Sequence, residues 1–186
     1  ESCSKNDDNP NSTETLPPVT QTGANTAGAY INGELLVPKD NLPNFGSPVS
    51  HGISPMVGPH FDENGNDFFS LIVANRRDDG GDYIYLHLSS MLNGEDNYAV
   101  GQTNGEMYID SPDNPHVIAF ITDEENNIKT YYSGANAGII SITRFDYGNT
   151  IFSGEFEFVL YNKDNPEDII EVKDGRFDIQ TSTLND

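Results

Sequence analysis

Positive charge, thiols and long apolar runs are all scarce in this sequence. There are 9 Lys and Arg against 30 Asp and Glu, for a formal net charge of −21. A surface of that sign repels phosphate backbones, so no nucleic-acid partner is expected. It repels anionic lipid headgroups as well, and stays compatible with cations, sugars and basic protein patches. The one cysteine, Cys3, excludes an intramolecular disulfide. It lies in a polar stretch with no histidine near it in sequence, so it is not read as a nucleophile. No run of about 18 apolar residues occurs, so no helical membrane span is expected. There is no Gly-x-Ser-x-Gly elbow, His-Glu-x-x-His, phosphate loop or Cys-x-x-Cys. No catalytic residue and no cofactor is therefore assigned from motifs.

Alternation is what the sequence does have. In 150–161 (TIFSGEFEFVLY), Phe152, Phe156, Phe158 and Leu160 alternate with Ser153, Glu155 and Glu157. Successive strand side chains point to opposite faces, so one face is aromatic and buried while the other is charged and wet. Apolar runs flank this strand on both sides, at 139–145 and 167–179, with turn chemistry at 146–149 and 162–168. Asp174-Gly175 is the pair favoured in tight hairpin turns, and predicts one there. The carboxy-terminal region therefore reads as a β-meander. Gly154 interrupts the aromatic row and marks a bulge or a close contact with a neighbouring layer.

Upstream, residues 29–37 predict a hairpin around Asn32-Gly33. Residues 68–74 (FFSLIVA) and 116–122 (HVIAFIT) read as core strands, 98–103 and 106–110 as short strands, and 128–133 as a return strand. No amphipathic helix is apparent. Roughly ten short strands at even spacing predict an all-β fold, an antiparallel β-sandwich or flattened barrel. Residues 1–22 are rich in Ser, Thr, Asn, Asp and Pro and read as a disordered tether. Residues 23–186 read as a single domain, with 39–61 a long, proline-rich loop.

Several side chains invite a functional reading. Tyr83, Tyr85 and His87 share one face of the 82–89 strand, opposite Ile84, Leu86 and Leu88. They suit an aromatic platform for a sugar, or cross-strand packing, which is the commoner use of such residues. His51 and His60 lie nine apart near Asp62, but nothing fixes a ligand geometry and no metal site is expected. The acidic run 62–67 resembles a calcium loop, yet Gly65 is its fourth residue and Val73 its twelfth, so a hairpin turn is the better reading. Arg176 and Asp178 lie two apart, opposite Phe177 and Ile179, and read as a structural pair with a neighbouring strand.

Two resemblances add to this. Ser2-Cys3 resembles the end of a bacterial lipobox, and 4–8 (SKNDD) is similar to the signal that follows the lipid-modified cysteine in surface-exposed Bacteroidetes lipoproteins. Further along, 16–18 (LPP), 20–26 (TQTGANT), 30–33 (YING), 142–146 (ITRFD), 153–156 (SGEF) and 174–178 (DGRFD) resemble a family of Bacteroidetes envelope lipoproteins of unknown function. The resemblance implies an all-β protein of the outer membrane, surface-exposed and held to the membrane by a lipid on Cys3, and it implies no activity. The expected function is a non-enzymatic binding or interaction module with a glycan or protein partner. The alternatives are a glycan-binding accessory of polysaccharide uptake and, less favoured, a glycosidase using two carboxylates.

Overall fold

The computed structural model describes residues 14–42, 48–59, 67–77, 81–89 and 94–185. It is all-β, with strands β1 (Thr26–Ile31), β2 (Glu34–Leu36), β3 (Ile53–Pro59), β4 (Asp67–Ala74), β5 (Tyr83–Leu88), β6 (Asn97–Val100), β7 (His116–Thr122), β8 (Ile128–Asp146), β9 (Ile151–Asn162) and β10 (Ile169–Gln180). They form one sheet in the order β2-β1-β10-β9-β8-β7-β5-β4-β3, with β6 added on β8. The strand pairs are antiparallel and the sheet curls into a half-barrel. Its flanks meet at Lys39, whose N–H donates to the Ala74 carbonyl (3.0 Å) while its own carbonyl accepts from Arg76 N–H (2.8 Å).

The meander is as the alternation predicts. Phe156 and Phe158 are 3% exposed, and Glu155 and Glu157 face solvent. Phe152 and Phe177 reach across the interior to Phe69, with ring centroids 5.7 and 6.0 Å apart. Gly154 makes a close contact, but within the sheet and not with a neighbouring layer: a Cβ there would lie 2.7 Å from the ring of Phe177, its partner on β10. The glycine lets the cross-strand phenylalanine lie flat over the backbone.

Other expectations are corrected. Asp174-Gly175 is not a hairpin turn but a bulge inside β10, where the register with β9 shifts between Val172 and Gly175. The chemistry is the same: Asp174 takes the positive φ (52°) that the extra residue requires. Gly175 is needed because the Phe156 ring lies where its Cβ would be, 2.2 Å away. Residues 128–146 are one strand of 19 residues, not two. Its first part pairs with β7 and its second with β6. The 39–61 segment contains β3, whose Pro55 and Pro59 are tolerated because it is an edge strand. Part of that segment, 43–47, lies outside the described residues. Residues 106–110, expected as a strand, hold instead a 3-10 turn at Tyr108–Asp110.

The folded body also starts earlier than composition implies. Residues 14–25 run as a strap over the sheet and end in a knot around Asp178, which is 2% exposed. Its carboxylate accepts from Thr20 Oγ1 (2.7 Å), Ser153 Oγ (2.7 Å) and the backbone N–H groups of Thr22 (2.9 Å), Gly23 (2.8 Å) and Ala24 (3.1 Å). Burial alone would raise its pKa. The bonds from Thr20, Ser153, Thr22 and Gly23 outweigh burial and hold the carboxyl well below the usual carboxylate range. Arg144 Nη1 donates to the Gln21 carbonyl, and Arg176 Nη1 donates to that of Pro17 (3.3 Å). The face that carries Arg176 and Asp178 is therefore roofed by the strap; Asp178 does reach the neighbouring strand, through Ser153 of β9, and both residues also hold the strap.

Two outcomes follow from these contacts. Gly175→Ala is expected to lower stability in urea denaturation by about 2 kcal/mol. Combining it with Phe156→Leu should recover part of that loss, since the clash is with that ring; simple additivity would break the assignment. Asp178→Asn is expected to lower stability by about 3 kcal/mol and to make residues 14–25 the first site of proteolysis. In the parent protein the carboxyl's contribution is complete above the ordinary carboxylate range and is lost as pH falls through its depressed folded value. An Asp178→Asn protein with the parent's stability and cleavage pattern would contradict the knot.

Candidate functional site

Four turns meet at one end of the half-barrel. Asn32 and Gly33, with φ of 49° and 85°, make the tight β1–β2 turn. Asn32 is tied to β10 through its side-chain oxygen, which accepts from Glu171 N–H (2.8 Å), and its own N–H, which donates to the Glu171 carbonyl (2.8 Å). The β4–β5 connection is closed by Asn75 N–H on the Asp82 carbonyl (3.0 Å). Asp82 Oδ1 accepts from Thr122 N–H (2.8 Å) and so joins the start of β5 to the end of β7. In the β7–β8 turn Asp123 Oδ1 accepts from the N–H groups of Asn127 (2.8 Å) and Glu125 (3.0 Å), and Asn126 adopts φ 63°. The amide of Asn127 is the main cause holding the Asp123 carboxyl below its ordinary value. At the β9–β10 turn Asp168 Oδ2 accepts from Tyr131 Oη (3.1 Å) and Asn162 Nδ2 (3.0 Å). Burial, then the Asp168 carboxylate, raises the Tyr131 pKa.

The first three of these turns rim a cavity of about 430 Å3, with Tyr131 of β8 and Ile170 of β10 on its wall. Asn32, Glu34, Asn75, Asp82, Thr122 and Asn126 supply carboxamide, carboxylate and hydroxyl groups, and Leu36, Ile121, Tyr131 and Ile170 supply the apolar wall. The volume is in the range that small-molecule sites occupy. Among the described residues the lining contains two carboxylates and no Lys, Arg or His. Anions are disfavoured there; neutral hydroxyl-rich ligands and cations are not.

The residues singled out in the sequence lie elsewhere. Tyr83, Tyr85 and His87 do share a face of β5, the outer one. Tyr85 and His87 are 0% exposed, because residues 101–115 fold over them. Tyr83 is half-buried, stacked on Phe120 at 4.3 Å with the Arg76 guanidinium 5.2 Å from its ring. In this conformation the three form no open platform. His51 Nδ1 lies 3.1 Å from Asp40 Oδ2 at the surface. His60, Asp62, most of the acidic 62–67 run and Cys3 fall outside the described residues. Among the described residues no three His, Cys, Asp or Glu side chains gather as metal ligands.

Residues 69–180 match the family described as Domain of unknown function (DUF5025), well over half of the chain. The chain belongs to that family. No curated protein matches it, and no solved structure does. The DUF5025 match runs from β4 to the end of β10, so the mouth is composite. Asn75, Asp82, Asn126 and Tyr131 come from the DUF5025 region, and Asn32, Glu34 and Leu36 from the hairpin before it.

Sequence reading identified the Asn32-Gly33 turn but not the meeting of turns that forms the mouth. The mouth gathers single residues from turns up to about a hundred positions apart, and none of them has a motif of its own.

Proposed function

We propose that this DUF5025 protein is a lipid-anchored, non-enzymatic binding module of the cell envelope, displayed on the outer membrane, with the barrel mouth as its ligand site. The observation that carries the binding reading is the cavity of about 430 Å3, rimmed by polar side chains on three hydrogen-bonded turns, β1–β2, β4–β5 and β7–β8. Tight turns on a barrel hold such groups in place without ordering a loop on binding, which lowers the entropic penalty of association. The anchor reading rests on Ser2-Cys3 and the polar residues that follow them. One acyl chain holds a protein only marginally, so durable attachment needs more than one chain on that cysteine.

Carbohydrate is the ligand class that the lining favours. Three carboxamides, from Asn32, Asn75 and Asn126, stand beside an apolar wall, which suits the alternating hydroxyl and C–H surfaces of a sugar. A glycosidase is less well supported: of the two lining carboxylates, Asp82 already accepts the Thr122 amide.

A glycan array with the intact protein is expected to show binding of neutral oligosaccharides. Asn126→Ala should weaken that binding by about tenfold, the loss of one or two hydrogen bonds. No binding on the array, or binding indifferent to Asn126→Ala and Asn75→Ala, would remove the mouth as the site. For the anchor, cells fed a clickable fatty acid should label the parent protein. Cys3→Ala should lose the label and move to the soluble fraction, and its retention on membranes would exclude lipidation at Cys3.

A further inference from the structure

One side of the mouth is the free edge of a strand. β2 stands at the end of the sheet, with β1 on one flank and no strand on the other. Across the Asn32-Gly33 turn, Ile31 and Glu34 are the pair that exchanges main-chain hydrogen bonds. Bonded and unbonded pairs alternate along an antiparallel ladder. Leu36 opposite Ala29 is therefore a bonded pair, and Leu35 opposite Tyr30 is not. The other flank of β1 agrees: Asn32, two residues from Tyr30, turns its N–H to the Glu171 carbonyl of β10. The N–H and C=O of Leu35 thus point away from β1, and among the described residues nothing bonds to either.

Leu35 lines the cavity, yet its side chain does not belong to the inner face. Cross-strand partners share a face, so Leu35 stands outside with Tyr30, while Glu34 and Leu36 stand inside with Ile31 and Ala29. What Leu35 brings to the mouth is the main-chain edge. We propose that the Leu35 N–H and C=O are the fixed hydrogen-bonding pair of the ligand site, and that they recognise adjacent hydroxyls of a neutral sugar. One hydroxyl oxygen accepts from the N–H, and the neighbouring hydroxyl donates to the carbonyl. This assignment rests on the mouth being a ligand site.

A free edge also invites an added peptide strand, but that needs successive outward pairs along the edge. Here the run is too short. Two residues on, Val37 lines a different cavity, beside Ala27, Ile53 and Leu184. Beyond it the N–H and C=O of Lys39 are already bonded to the end of β4, at 3.0 and 2.8 Å. A single donor beside a single acceptor suits a diol better than a strand. Glu34, next to Leu35 and exposed on the inner side, supplies a carboxylate that accepts from further hydroxyls. Together with Asp82 across the cavity it disfavours a sugar that carries its own carboxylate.

Leu35→Pro tests the contact. It removes the outward N–H and no bond of the β1–β2 ladder, so its urea midpoint should match the parent's. Affinity for the neutral oligosaccharide that the glycan array retains most strongly is expected to fall about tenfold, the loss of one hydrogen bond. Parent-strength binding by Leu35→Pro would overturn the proposal. Should that variant fold poorly, amide NMR of the intact parent protein decides, titrated with the same oligosaccharide. The Leu35 amide must be among the signals that move most. Shifts elsewhere in the mouth with Leu35 unmoved refute this contact and leave the mouth standing as the site. Binding of extended peptides with no neutral sugar bound overturns the contact as assigned. A protein whose mouth amides respond to no oligosaccharide overturns the contact and the site together.

Discussion

The fold depends on one buried carboxylate. Asp178 lies near the end of the last strand and is capped by residues from near the start of the described chain, with Ser153 of the neighbouring strand completing its shell. An ion taken out of water is tolerable only when its lone pairs are satisfied. The nest of amides from Thr22 to Ala24 does that and fixes where β1 begins. From there β1 is laid against β10 with Thr26 opposite Asp178, and its far end turns at Asn32 into the mouth. The position of the mouth is thus set, strand by strand, from a charge at the opposite end of the half-barrel.

The two faces of the sheet are used differently. Inside, aromatic rings from β4, β9 and β10 meet across the barrel, and small residues stand where those rings need room, as Gly154 does beneath Phe177. Outside, two stretches of irregular chain cover the strands. The strap covers β10 through a charged, fully bonded contact. The 101–115 segment covers β4, β5 and β7 through a tyrosine hydroxyl and a stacked imidazole pair. The first cover is held by a group that stays ionised at any physiological pH, the second by groups, Tyr85 and His116 among them, that burial shifts toward their neutral forms.

Much of the architecture was legible because strand periodicity is a local signal. The alternation around Phe156 predicts its burial, and the Asn32-Gly33 pair predicts its turn. Misreadings came where one chemistry serves two structures. Asp174-Gly175 suits a hairpin and a bulge alike, since both need a positive φ. Prolines that suggest a loop at 39–61 are equally at home on the free edge of β3. Tyr85 and His87 read as an amphipathic face because the segment that buries them has no periodicity. The burial of Asp178 is hidden for the same reason: its cover is polar and looks like a linker. The mouth was least legible, being a meeting of distant turns and not a pattern.

One consequence concerns the extent of the unit. The stretch by which the family is recognised opens inside β4, yet β10 needs β1 beside it and Asp178 needs residues 20–24 above it. A fragment trimmed to that stretch would leave a naked sheet margin and an anion stripped of most of its hydrogen bonds. What folds together is accordingly longer than the recognised segment, since the leading hairpin and strap pair with its last strand.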